Sequence, residues 1–152
     1  MSYKRILCAI DVRDPSDEVV KHARTLAETF DAELEVVYVR RSQEVAARLF
    51  GDPGKRARSE TLLKELVATR FQGLKAHGHL LQGDAAKAIV QTSSDLGCDL
   101  IIMGSHGRLG LGKLINGSVA DVVIRHSALP VMTIAPARDP NELRIPDPMP
   151  NF

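Results

Sequence analysis

The chain carries no excess of charge of either sign. Twenty Lys and Arg stand against nineteen Asp and Glu, a net charge of +1 over 152 residues. That balance removes the electrostatic case for a nucleic-acid or membrane-surface partner. No apolar run approaches the roughly 18 residues of a membrane-spanning helix, and the N-terminus shows no signal-peptide h-region. A cytoplasmic location is therefore expected. Cysteine is scarce: Cys8 lies in an apolar run and Cys98 just ahead of another, so both read as reduced, small core residues rather than as a disulfide or a reactive thiol. No Cys/His spacing matches a metal site, and none is expected. The remaining composition, 44% hydrophobic and 26% charged, is that of a globular domain. A chain of this length forms one domain that buries roughly 70% of its unfolded surface.

The apolar runs are short and do not alternate. Arg5 to Ile10 (RILCAI) has the pattern of a strand buried on both faces. Asp14 and Pro15 then supply an N-cap and a first helical position. The helix they open runs to Phe30, with Val19, Val20, Ala23, Leu26, Ala27 and Phe30 at helical spacing. Glu33 to Val39 is a second strand. Residues 40 to 55 are irregular, and a long helix follows from about Arg56 to Ala76. His79 to Gln82 forms a short third strand, and Asp84 caps a helix that ends near Leu96. Asp99 to Met103 is a fourth strand, Ser118 begins a fourth helix, and Pro130 to Ala135 is a fifth strand. Apolar strands alternating with helices imply an α/β fold: a single-domain, open, five-stranded parallel sheet with helices on both faces. Each crossover is expected to be right-handed. Five units are too few for an eight-stranded barrel.

Four of the eight prolines fall in the last fifteen residues, at 140, 146, 148 and 150. The expected division is a domain over residues 1–137 and a Pro-rich tail over 138–152, extended or irregular rather than helical.

The most informative stretch joins the fourth strand to the fourth helix. Residues 104 to 117 hold five glycines, at 104, 107, 110, 112 and 117. A glycine-rich loop between a buried strand and a helix is where open α/β sheets bind phosphates. Two familiar loops fail there. A Walker-type loop matches Gly107, Gly112 and Lys113 but has Leu114 where a hydroxyl must hold Mg²⁺. A dinucleotide fingerprint starts at Gly110 and Gly112 but has Ile115 in place of its third glycine.

A third pattern fits at every position. Gly104, Gly107, Gly117 and Ser118 spell G-2x-G-9x-G-[ST]. Around it stand Gly83-Asp84-Ala85, Cys98-Asp99 running into Leu100–Gly104, Gly117 to His126, Leu129-Pro130-Val131 and, near the N-terminus, Lys4 to Asp11. With these surroundings, over residues 3 to 136, the chain resembles the ATP-binding universal stress proteins. The resemblance implies a Rossmann-like sheet of the adenine nucleotide alpha hydrolase-like kind, with ATP, with or without Mg²⁺, as ligand. It places adenine and ribose against Asp11 and Val39 and the phosphates against Gly104, Gly107, Gly117, Ser118 and the backbone N–H of Val119, with Met103 also among the cofactor-binding residues. Arg108 and Lys113 are natural counter-charges, and His106 reads as a loop residue. One departure stands out: where the family commonly has Gly-Ser after the first-strand Asp, this chain has Val12-Arg13.

The same residues supply donors and glycines but no evident general base, so no catalytic residue is assigned. A regulatory nucleotide-binding protein is the leading expectation. The alternatives are a slow ATPase or self-phosphorylating protein with Ser118 or Ser105 as acceptor, and an interaction module that binds AMP, cyclic AMP or no nucleotide. Val131 to Ile134 is a short apolar edge. The resemblance implies a homodimer paired through it.

Overall fold

Runs that are apolar on both sides can be buried only if helices cover both faces of the sheet, and this is the arrangement found. The computed structural model describes residues 1–41, 53–105, 119–137 and 141. Five parallel strands lie in the order β3-β2-β1-β4-β5. They are β1 (Arg5–Ala9), β2 (Glu33–Arg40), β3 (Ala76–Gln82), β4 (Leu100–Gly104) and β5 (Val131–Ile134). Four described helices connect them: α1 (Asp17–Phe30), α2 (Pro53–Arg70), α3 (Ala85–Asp95) and α4 (Val119–His126).

The pleat divides the core in two. Ile6, Cys8, Leu34, Val36, Leu100 and Ile102 point to one face, where α1 adds Val19, Val20 and Ala23 and α2 adds Leu63 and Leu66. Leu7, Val37, Ile101 and Met103 point to the other, against Ala86 and Ile89 of α3 and Ala120 and Val123 of α4. Each fully buried Val, Leu or Ile contributes about 1.5–3 kcal/mol, so both faces hold the sheet in place. Both cysteines are buried free thiols, as expected. Burial alone pushes the Cys8 thiol up to about 12.

Several boundaries differ from expectation for local reasons. Ser16, not Asp14, caps α1, its hydroxyl accepting the Val19 N–H at 3.3 Å. Asp14 instead belongs to the preceding turn, where its N–H meets the Asp11 carbonyl at 3.3 Å. α2 begins at Pro53 rather than Arg56 and stops at Arg70 rather than running to Ala76. Gly73 takes φ +84° just beyond it, and the Leu74 N–H closes a turn on the Phe71 carbonyl at 3.2 Å. The released residues lengthen β3, which starts at Ala76 and pairs with β2 from Leu34↔Ala76 to Arg40↔Gln82. Asp84 does cap α3, its Oδ1 accepting the Lys87 N–H at 2.8 Å. Ser118, expected to open α4, lies outside the described residues, as does the tail apart from Asn141. No described helix is long and apolar enough to cross a membrane.

Candidate functional site

The order β3-β2-β1-β4-β5 fixes where a ligand can sit. From β1 the chain steps to β2 and β3 on one side, then returns to place β4 and β5 on the other. The crevice at the carboxyl ends of β1 and β4 is therefore the topological switch point, where open parallel sheets bind ligands. Asp11 follows β1 at this crevice. Met103 sits beside it on β4, in register with Ala9. Gly104 ends β4, and the Ser105 N–H continues the ladder to the Ile134 carbonyl at 3.0 Å. On the other flank Ala9 is in register with Val37, so Val39 stands level with Asp11. Val119 opens α4, which follows the same end of the sheet. Five of the nine sequence-assigned residues, Asp11, Val39, Met103, Gly104 and Val119, thus gather at one end. Gly107, Arg108, Gly117 and Ser118 lie outside the described residues, with His106 and Lys113.

Their surroundings differ. Met103 is buried, while Val39 and Val119 are half-buried against the α3/α4 face. The carboxylate of Asp11 is 29% exposed, which leaves it accessible as an acceptor. It is engaged by Arg13. Oδ1 accepts the Arg13 backbone N–H at 2.9 Å and Nε–H at 3.3 Å, and Oδ2 accepts Nη2–H at 3.3 Å. The backbone contact is the local turn an Asp makes two residues ahead of itself. The side-chain contacts close a guanidinium over the carboxylate. They raise the Arg13 guanidinium above its usual range, through the Asp11 hydrogen bond first and its charge second, with a smaller contribution from Tyr38. The sequence marks Arg13 as a departure; its grip on Asp11 emerges only from the fold.

The helices add a field. α1, α3 and α4 all begin at the carboxyl end of the sheet, so their unpaired N–H groups and positive dipole ends face the crevice. An anion is favoured there before any side chain is counted. Two cavities lie off to the side. One of about 90 Å³ is lined by Arg40, Arg56, Leu80, Leu81 and Gln82. The other, an apolar groove of about 300 Å³ between α2 and β3, includes Leu63, Val67 and Gly78. Neither includes Asp11, Gly104 or Val119.

Sequence reasoning missed a second polar group, at the opposite end of the sheet. Glu33 and Glu35 of β2 meet His77 of β3 there. Glu33 and Glu35 are visible in the sequence as alternating positions. Their alignment with His77 follows from the β2–β3 register, which no local signal reveals.

Comparison with known proteins points one way. The model of the universal stress protein family matches residues 2–135. Universal stress protein MJ0531 of Methanocaldococcus jannaschii is 34% identical over 143 residues, covering 87% of this chain and 82% of its own. The solved structure of MJ0577, from the same organism, superimposes with a TM-score of 0.70 at 27% identity, covering 91% of this chain and all of that one. The universal stress protein of Archaeoglobus fulgidus in complex with dAMP superimposes with a TM-score of 0.64 at 22% identity, covering 88% of this chain and 98% of that one.

Proposed function

The chain belongs to the universal stress protein family, and on that premise we propose that it binds an adenine nucleotide, ATP foremost, at the carboxyl ends of β1 and β4. The observation that carries this reading is the convergence of Asp11, Met103, Gly104 and Val119 on the switch point of the sheet. The glycine pattern Gly104, Gly107, Gly117 and Ser118 belongs to the same connection. The dAMP complex of the Archaeoglobus relative supports the nucleotide class.

The residues present fit such a ligand. Asp11 offers carboxylate oxygens to a ribose hydroxyl or an adenine amine, and Val39 offers an apolar wall. Gly104 and Gly107 let the backbone come close to the ligand. Val119, the first described residue of α4, would offer its N–H to the phosphates, with Gly117, Ser118 and Arg108 assigned beside it by the family pattern. Mg²⁺, when bound with ATP, would neutralise phosphate oxygens. A regulatory role follows if the nucleotide-filled and empty states differ in their affinity for a partner, since a ligand shifts an equilibrium only through such a difference.

The test is direct. Nucleotide released from the purified, denatured protein is identified by mass spectrometry, and ATP, AMP and cyclic AMP are titrated by calorimetry. Gly117→Val, which obstructs the proposed approach to phosphate, should abolish ATP binding. Unchanged affinity in that variant sinks the assignment. Tighter binding of AMP than of ATP would retain the site but reassign the ligand.

A further inference from the structure

The fold has two chemically opposite ends. Helix N-termini gather where the strands end, and helix C-termini gather where the strands begin. The amino end therefore presents unpaired carbonyls and the negative ends of helix dipoles, which favour a cation. One cation already uses this: Arg5 Nη1–H donates to the Leu96 carbonyl, at the C-cap of α3, at 2.7 Å.

At the same end two adjacent strands, β2 and β3, bring ligating groups together. Glu33 and Glu35 lie two apart on β2 and so share the face covered by α3 and α4, and His77 is the β3 register partner of Glu35. One ligand atom from each of Glu33, Glu35 and His77 lies within 4.8 Å of the others. Glu35 is 5% exposed, so its carboxylate is held inside the structure rather than free on the surface. His79 fixes it further, its Nε2 lying 2.5 Å from Glu35 Oε2. A buried carboxylate oriented by an imidazole is the outer support that metal ligands need. Around a bound Zn²⁺ with ligand distances of about 2.1 Å, tetrahedral donors sit about 3.4 Å apart. The remaining closure falls on Glu33 and His77, which are half-buried and exposed, and both have room to turn.

Charge favours the same conclusion. Two carboxylates face one guanidinium: Arg5 binds Glu33 at 2.8 Å and reaches Glu35 at 3.5 Å. Lys75 lies near enough to attract Glu33 weakly, but its ammonium pairs with Asp31 at 2.9 Å. One guanidinium balances one of the two carboxylates; a divalent ion balances both. Arg5, 39% exposed, has solvent to move into. The imidazole donor selects against Mg²⁺ and Ca²⁺, which take oxygen ligands, and for first-row transition ions.

We propose that Glu33, Glu35 and His77 form a binding site for a first-row divalent ion, Zn²⁺ foremost, at the amino end of the sheet, with Arg5 as its competitor and His79 as its support. The site is separate from the nucleotide crevice and does not depend on it.

The full chain, stripped with EDTA and desalted, is titrated with ZnCl₂ by calorimetry, and its melting temperature is followed in parallel. One Zn²⁺ per chain should bind and raise the melting temperature, while MgCl₂ should leave it unmoved. His77→Ala and Glu33→Gln, both at accessible positions, should each weaken Zn²⁺ by about tenfold or more. His126→Ala, on the exposed end of α4, should leave it unchanged. Co²⁺ provides an independent reading, since its visible absorption should appear in the parent protein and vanish in His77→Ala. No Zn²⁺ uptake, uptake that His77→Ala leaves unchanged, or uptake lost in His126→Ala overturns the proposal.

Discussion

Arg13 provides the sharpest test of how the crevice accepts a ligand. Its guanidinium holds both oxygens of Asp11, the residue assigned to ribose or adenine. A ligand that uses Asp11 must displace those contacts or share them. Their strength is bounded by exposure: Arg13 is 59% exposed and Asp11 29%, and pairs in such positions are worth about 0.2–1 kcal/mol. Arg13→Ala removes that competition but keeps the backbone N–H bond to Oδ1, at 2.9 Å, so the carboxylate stays oriented. Adenosine, which has no phosphate, should then bind up to about fivefold more tightly, the equivalent of that upper bound. ATP should gain less or lose affinity, because the same guanidinium is available to its phosphates. Asp11→Ala acts in the opposite direction. Losing a charged acceptor costs about 1.5–3 kcal/mol, or roughly ten- to a hundredfold in adenosine affinity. Combining the two substitutions should erase the benefit of Arg13→Ala, because no carboxylate remains to be freed. Calorimetric titration of all four proteins with adenosine and ATP completes the cycle. Adenosine affinity that falls in Arg13→Ala, or rises equally with and without Asp11, refutes the reasoning.

Other outcomes follow from the fold itself. Asp84→Ala removes the cap on α3 and should lower stability by about 1 kcal/mol, a drop of some 3 °C in melting temperature for a chain of this size. A loss within error of zero would show that α3 is held by its packing alone. Cys8 is fully buried, with its thiol pushed up to about 12. Its pKa is raised on folding, so the stability it contributes is complete below the ordinary thiol value and declines as pH climbs from about 9 towards 12. Alkylation of Cys8 at pH 8.5 should proceed only at the rate of unfolding; rapid labelling of the native protein would contradict its burial. Among the described residues β5 is an outer strand, hydrogen-bonded to β4 alone, and its apolar edge, Val131 to Ile134, is proposed to pair with a second copy. Light scattering at micromolar concentration should give a dimer mass, and Thr133→Pro should halve it; a monomeric parent protein rules this out.

Much of this architecture is legible in the sequence because burial on two faces leaves a strong trace. RILCA, VVYV and LIIM lack alternation, and each proves to be an inner strand. The less legible elements are those decided by tertiary contacts. β3 reads AHGHLLQ, half polar, because it lies at an edge and is exposed in part; its N-terminal half exists through pairing with β2 rather than through its own apolar character. α2 ends early because Gly73 adopts a positive φ, while the apolar spacing of Phe71 and Leu74 continues the helical pattern past the break. At the crevice, the family resemblance implies Asp11 as an acceptor, and the structure adds that Arg13 already holds it. Local motifs name groups; they do not show which neighbour reaches them first.

The same limit explains why the two ends of the sheet differ in visibility. The phosphate site proposed at the carboxyl end announces itself through glycine, because close approach of backbone to an anion needs residues without side chains, and the glycines of the pattern fall in one connection. The amino end needs no special backbone. Glu33, Glu35, His77, His79 and Arg5 come from three strands far apart in sequence and become neighbours only through register. Yet the field that favours each end has a single origin. In a right-handed parallel fold every helix starts beside a strand's end and finishes beside the next strand's beginning, so the dipoles add: positive over the crevice, negative over the Glu/His cluster. An anion at one end and a cation at the other are what this sheet accommodates most cheaply. Binding at either end should therefore leave affinity at the other largely unchanged, since the ligands lie at opposite ends of shared strands without a common side chain. A zinc titration repeated with saturating ATP tests this directly: equal Zn²⁺ affinities support two independent sites, and a change beyond about fivefold would mean that the rigid sheet couples them.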